Sequence, residues 1–177
     1  IFTNKTVSAD GMTNRVGGFD ASFIIFDKLR LFGMMAKSST RSDTEITTEG
    51  VGNNFTYQGS VEYMSDITTL EISRMRIDDN FDPQMGFVRR KGVIKQRAEV
   101  RWRPRPESID AIRQFWISPE VETYTRQEGF LESRQQGVGL VSVWKTGDFI
   151  GMQPERKYEF LEEPFEITPD VTIPKGG

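Results

Sequence analysis

Three stretches hold residues whose types and spacing could do chemistry. Between Asp78 and Asp82, three Asp and one Asn fall within five residues, and Ca²⁺ prefers oxygen ligands of this kind. An EF-hand loop also needs a Gly after its third acidic position and a distant Glu, and neither is matched. A structural turn is the stronger reading. Asp82-Pro83 starts it, Gly86 supplies a permissive backbone position, and Phe87 and Val88 re-enter a strand. Asp78, Asp79 and Asp82 lie near Arg89 and Arg90 in sequence, so an ion-pair network is expected there. Farther on, Glu155, Glu159, Glu162, Glu163 and Glu166 could supply the two carboxylates of a glycosidase. Charge on a surface or in a lumen is the commoner use of such residues. Lastly, Arg101, Arg103 and Arg105 interleave with Trp102, Pro104 and Pro106, a mixture found where single strands of nucleic acid are bound.

Composition removes most of these options. Lys+Arg 23 against Asp+Glu 26 gives a net charge of -3, whereas nucleic-acid binders show a basic excess or stripe; no nucleic-acid partner is expected. The chain has no Cys and no His. That removes disulfides, thiolate nucleophiles, thiolate and imidazole zinc sites and the Ser-His-Asp triad together. Ser38-Ser39-Thr40 and Gly50 to Gly52 lack the lysine pattern of a phosphate loop. No catalytic residue, metal or cofactor is expected, and the chain is read as something other than an enzyme.

The elements that position these residues are strands. From Asn54 to Tyr63, the side chains of Phe55, Tyr57, Gly59, Val61 and Tyr63 share one face, and Asn54, Thr56, Gln58, Ser60 and Glu62 the other. From Ile94 to Arg103, Ile94, Gln96, Ala98, Val100 and Trp102 alternate with Lys95, Arg97, Glu99, Arg101 and Arg103. Period-two alternation is the mark of a strand with one apolar and one polar face. Weaker strand patterns cover Arg15 to Phe26, Leu29 to Lys37, Trp116 to Thr125, Phe130 to Trp144 and Glu155 to Phe165. Thr69 to Ile77 starts with Leu70 and Ile72 on one face and then switches to Met75 and Ile77, as a bulge would cause. Ser38 to Asn54 reads as a polar loop, and Glu107 to Phe115 as a turn or short helix. Short turns alternate with longer polar loops, the pattern of a hairpin meander.

Both clean segments keep alternation for about ten residues, the length of a membrane-barrel strand and longer than the globular average. Aromatic residues sit at the strand ends, with Gly59 and Val61 between them, as at the two girdles of such a barrel. Lys95, Arg97, Glu99, Arg101 and Arg103 suit a water-filled lumen. A soluble sandwich, such as a β-rich carbohydrate-binding module, predicts the same period. The chain opens Ile1-Phe2-Thr3 and carries no apolar run of transmembrane-helix length. It reads as an internal piece, residues 1–177 forming one incomplete segment of a barrel domain.

A resemblance favours the membrane reading. The run Asp78-Asp79-Asn80-Phe81-Asp82-Pro83-Gln84-Met85-Gly86-Phe87-Val88-Arg89-Arg90 resembles the D-x-F-[ND]-P-x-x-G-F-[VL]-x-R signature of an uncharacterised bacterial envelope family. Asn14-Arg15-Val16-Gly17-Gly18-Phe19-Asp20 resembles that family's N-R-V-x-G-x-D strand entry. Tyr158 to Ile167 is similar to its F-E-x-L-x-E-P-F-E-I block, with Tyr158 in place of the leading Phe. In that family a family-9-like carbohydrate-binding module precedes a predicted outer-membrane β-barrel. The resemblance implies an all-β fold, an antiparallel up-and-down meander forming part of an outer-membrane-type barrel. It implies outer-membrane lipid as partner, in a Gram-negative-type bacterium, and glycan only through a module absent from this chain. It assigns no activity to any residue.

Overall fold

The computed structural model describes residues 2–7, 12–41, 53–161, 164–168 and 171–176. Among them there is no helix. The strands are β1 (Phe2–Val7), β2 (Met12–Ile25), β3 (Leu29–Arg41), β4 (Phe55–Met64), β5 (Thr68–Ile77) and β6 (Val93–Trp102). They continue with β7 (Ile112–Arg126), β8 (Leu131–Trp144), β9 (Phe149–Met152), β10 (Glu155–Glu159), β11 (Phe165–Thr168) and β12 (Val171–Ile173). Each strand from β1 to β8 pairs with its successor, the order of an up-and-down meander, and β9 and β10 both pair with β8. Among the described residues nothing pairs β1 with β10, so the sheet is not closed. β11 and β12 form a separate antiparallel pair.

Local chemistry explains the turns and breaks. β2 and β3 pair without a slip from Ile25 opposite Leu29 to Thr13 opposite Arg41. Their turn has Phe26 and Asp27 at φ 51 and 58, closed by Lys28 N donating to Ile25 O at 3.2 Å. Two successive left-handed residues are the type I′ geometry that suits a hairpin's twist. β9 and β10 keep a single register along β8, with Met152 opposite Leu140 and Glu155 opposite Gly137. Pro154 interrupts them because it has no N–H to donate, and an edge is where a sheet tolerates this. The Glu107 to Phe115 stretch contains turns up to Ala111, after which β7 begins. β3 runs on to Arg41, so Ser38, Ser39 and Thr40 belong to a strand, not to the loop read from their polarity. The rest of that loop, 42–52, lies outside the described residues.

The chain divides into two compact units, Ile1–Val61 with Ser73–Lys95, and Glu62–Ile72 with Gln96–Gly177. Among the described residues the buried apolar side chains are two, Phe81 at 5% exposure and Val93 at 1%, both in the first unit. In that unit β2 and β3 approach most closely at Gly18. A Cβ there would lie 2.6 Å from Met35 O and 2.8 Å from Ala36 Cβ. Gly18→Ala is therefore expected to destabilise the folded protein by about 1–3 kcal/mol, as for an overpacked site, and so to lower its urea midpoint. Gly33→Ala, whose Cβ meets nothing within 4 Å, is expected to leave it unchanged. Equal midpoints for the two variants would contradict this packing.

Candidate functional site: the polar face and the loop that crosses it

In the first unit, Phe19 stands opposite Met35, Ala21 opposite Gly33 and Phe23 opposite Leu31 on one face of the β2–β3 pair. Phe19 is 67% exposed and Phe23 63%. Lys37 shares their face, its Nζ 4.9 Å from the centre of the Phe55 ring. The other face carries Asn14 and Ser38, each 2% exposed. β4 repeats the pattern, since Phe55, Tyr57, Val61 and Tyr63 are exposed while Thr56 is buried. Polar residues are thus the sheltered ones and apolar residues the open ones.

The segment after β5 covers the polar face in this unit. Asp78 continues the β4–β5 pairing: its N–H donates to Phe55 O at 2.9 Å, and its Oδ2 accepts from Phe55 N at 3.1 Å. Arg76 Nε meets Asp78 Oδ1 at 2.8 Å. Ser38 Oγ then accepts from Asp82 N at 2.9 Å. Asn14 Nδ2 donates to Asp82 O and to Thr40 Oγ1, each at 2.8 Å, and Asn14 Oδ1 accepts from Gln84 N at 3.4 Å. Two strand side chains therefore hold the loop backbone, and Phe81 is buried beneath it. Lys91 Nζ pairs with Asp82 Oδ1 at 3.0 Å.

The remaining motif residues have plainer places. Pro83 O accepts from Gly86 N at 2.7 Å, closing a turn, while Asp79, Phe87 and Arg89 are exposed and Arg90 is half-buried. Gly86 does not adopt a positive φ, so the turn itself makes no demand for glycine there. Phe87 and Val88 precede β6 without joining a strand, because β6 starts only at Val93.

In the second unit, Arg97, Glu99 and Arg101 of β6, and Arg103 just past its end, make polar contacts. Glu99, 7% exposed, receives Arg97 Nη2 at 2.9 Å and Arg101 Nη2 at 2.9 Å on Oε2, and Arg101 Nε on Oε1. Arg97 Nη2 also reaches Glu120 Oε2 on β7 at 3.2 Å. Gln153 Nε2 donates to Glu120 Oε1 and to Glu155 Oε1, each at 3.4 Å. Arg103 Nη2 donates to Thr69 Oγ1 at 3.3 Å. Lys95 lies in the part of β6 assigned to the first unit and is half-buried. With both oxygens taken by guanidiniums, Glu99 is a brace for its neighbours. Repulsion among Arg97, Arg101 and their surroundings would be large without it.

Of the C-terminal acids, Glu155 is held by Gln135 at 3.2 Å and Lys157 at 3.2 Å. Glu162 and Glu163 lie outside the described residues, and Glu166 is exposed. In β5, exposure alternates without interruption from Leu70 to Met75. Met75 therefore lies on the face opposite Leu70 and Ile72, with no change of phase. Sequence reading overlooked Asn14 and Ser38 as the pair that holds the loop in the first unit, and Glu120 and Gln153 as partners of Arg97 and Glu155 in the second. Asn14, Ser38 and Glu120 fall on the polar side of strands, which was their only signal, and Gln153 lies between β9 and β10.

At the turn between β4 and β5, Asp66 forms a two-pronged pair with Arg105, Oδ2 to Nη1 at 2.8 Å and Oδ1 to Nη2 at 2.9 Å. The Arg105 hydrogen bonds, then its charge, hold the Asp66 carboxyl below its ordinary value. Comparison with known proteins finds no matching family, no matching curated protein and no matching solved structure.

Ser38→Ala is expected to speed hydrogen exchange at the Asp82 amide, and Asn14→Ala at the Gln84 amide. Each change removes one buried partner, worth about 1–3 kcal/mol. Unchanged protection at both amides would mean that the loop is held by other contacts. The Asp66 pair has a definite pH sign. A carboxyl lowered by folding stabilises above its unfolded pKa, and that contribution fades as pH falls through the folded value. An NMR titration should place Asp66 below the usual aspartate range, and Arg105→Gln should return it there. An unmoved midpoint in that variant would refute the pair in solution.

Proposed function

We propose that this chain is a wall segment of an outer-membrane-type β-barrel in an envelope protein of a Gram-negative-type bacterium. In this reading the segment has no chemistry of its own, and the barrel anchors the protein or passes ligand in connection with carbohydrate binding. The observation that carries the proposal is the inverted burial: aromatic and aliphatic side chains are open on the sheet while Asn14, Ser38, Thr56 and Glu99 are sheltered. Water is a poor surrounding for such a surface, whereas bilayer hydrocarbon suits it. Strand length agrees, since β2 to β8 have 10 to 15 residues, enough to cross a bilayer at a tilt.

Further support comes from the ends of the strands. Phe55 and Tyr57 open β4 and Tyr63 lies next to its last residue, while Trp102 closes β6, positions suited to interfacial girdles. From β2 to β6 the connections alternate, with short turns at 26–28 and 65–67 and longer links between β3 and β4 and between β5 and β6. An open sheet edge is untenable in lipid, so the proposal requires the wall to be closed by strands outside this sheet. Arg97, Glu99, Arg101 and Arg103 then line the lumen with Lys95. The link to carbohydrate rests on the motif resemblance alone.

Size exclusion of the full-length protein with and without detergent tests the proposal. The expected result is aggregation in plain buffer and a β-rich, monodisperse species in detergent. A soluble monomer with one sharp thermal transition in buffer would overturn it and favour a soluble β-rich carbohydrate-binding module.

A further inference from the structure

In the second unit the apolar face carries two arginines beside each other at the β8–β10 edge. Across β8 and β10, Gln136 stands opposite Arg156 and Arg134 opposite Tyr158. Arg134 and Arg156 are therefore diagonal neighbours on one face, with Cβ atoms about 7–8 Å apart. Neither has an ion pair or hydrogen bond among the described residues. Arg97, Arg101, Arg103 and Arg105 all have polar partners. Glu155 and Glu159 alternate onto the opposite face of β10. Glu132, the nearest acid along β8, is met by Arg126 at 3.1 Å. Two adjacent like charges repel each other, and a shared phosphate would relieve this through forked hydrogen bonds.

The same face continues into an apolar groove. Following β8 from Arg134 leads to Val138 and Leu140, and following the edge strand back from Arg156 leads to Met152 and Ile150. Phe115, Ile117, Leu140, Ile150 and Met152 help to line a groove of about 510 Å³. Met152 and Arg156 are four residues apart in one register, which is about 13 Å along a strand. An apolar trough leading to a pair of guanidiniums matches an amphiphile with hydrocarbon chains and an anionic phosphate head.

We infer that Arg134 and Arg156 bind the phosphate of a phosphorylated lipid whose chains lie along the Leu140–Ile150–Met152 groove. The inference rests on the barrel reading and names the lipid class that its outer surface prefers. Free phosphate has the same head chemistry but no chains, so the groove commits the site to the lipid.

The test reconstitutes the full-length protein into phosphatidylcholine vesicles. It then measures quenching of tryptophan fluorescence by phosphatidic acid and by diacylglycerol carrying the same brominated chains. Phosphatidic acid should compete for the protein surface better than diacylglycerol. Arg134→Gln/Arg156→Gln should remove about 30-fold of that preference, two surface arginines' worth, while Arg74→Gln leaves it intact. Equal quenching by the two lipids, or an undiminished preference in the double variant, overturns the inference and leaves the barrel reading standing. Displacement of phosphatidic acid by millimolar inorganic phosphate would also overturn it, by showing that the chains contribute nothing. Failure of the wild-type protein to enter the vesicles would remove the barrel reading and the lipid site together.

Discussion

A β-sheet satisfies its own backbone hydrogen bonds, but its apolar side chains need another surface to exclude water from them. In this protein that surface is missing from the described residues. Among the described residues only Phe81 and Val93 are buried apolar side chains, and β11 and β12 form their own two-stranded sheet. A soluble sandwich would place a second layer against Phe19, Phe23, Leu70, Ile72 and Ile150. Each fully buried side chain of this size is worth about 1.5–3 kcal/mol, so leaving them in water forfeits most of what normally drives folding. The proposed membrane setting follows from this constraint more than from any single residue.

The polar side shows the complementary arrangement. There the side chains are tied to one another or to backbone, with Ser38 and Asn14 holding the loop at Asp82 and Gln84. Glu99 is clasped by Arg97 and Arg101. Buried polar groups are costly unless paired, and these are paired in detail. In the proposed barrel this side faces the lumen, where the loop crossing β2 and β3 narrows whatever space the wall encloses. Arg134 and Arg156 are on the opposite, apolar side.

Much of the sheet was legible because alternation is a strong signal over ten residues. β4 and β6 could be read residue by residue, including which charges share a face. The β2–β3 turn was harder, since Phe26 and Asp27 take left-handed conformations usually marked by Asn-Gly. Ser38 to Thr40 read as loop because their small polar side chains favour turns; in the fold Ser38 is buried, and Ser38 and Thr40 both serve as hydrogen-bond partners. The expected change of face came from two apolar residues, Met75 and Ile77, on the polar side of β5, which sequence cannot distinguish from a bulge. The motif around Phe81 was visible as a pattern. Its role depends on Asn14 and Ser38, 68 and 44 residues away from Asp82 in sequence, and no local rule connects them.

The central claim is that the apolar side of this sheet faces lipid. The chain has no Cys, so single cysteines can be placed at each position from Phe55 to Tyr63 in the full-length protein and spin-labelled after reconstitution. Collision rates with oxygen, which concentrates in lipid, and with a water-soluble nickel chelate then report each label's surroundings. The account predicts a period of two, with oxygen favoured at 55, 57, 59, 61 and 63 and the nickel chelate or shielding from both at 56, 58, 60 and 62. Protection from both reagents at the odd positions, or nickel access at all nine, would contradict it.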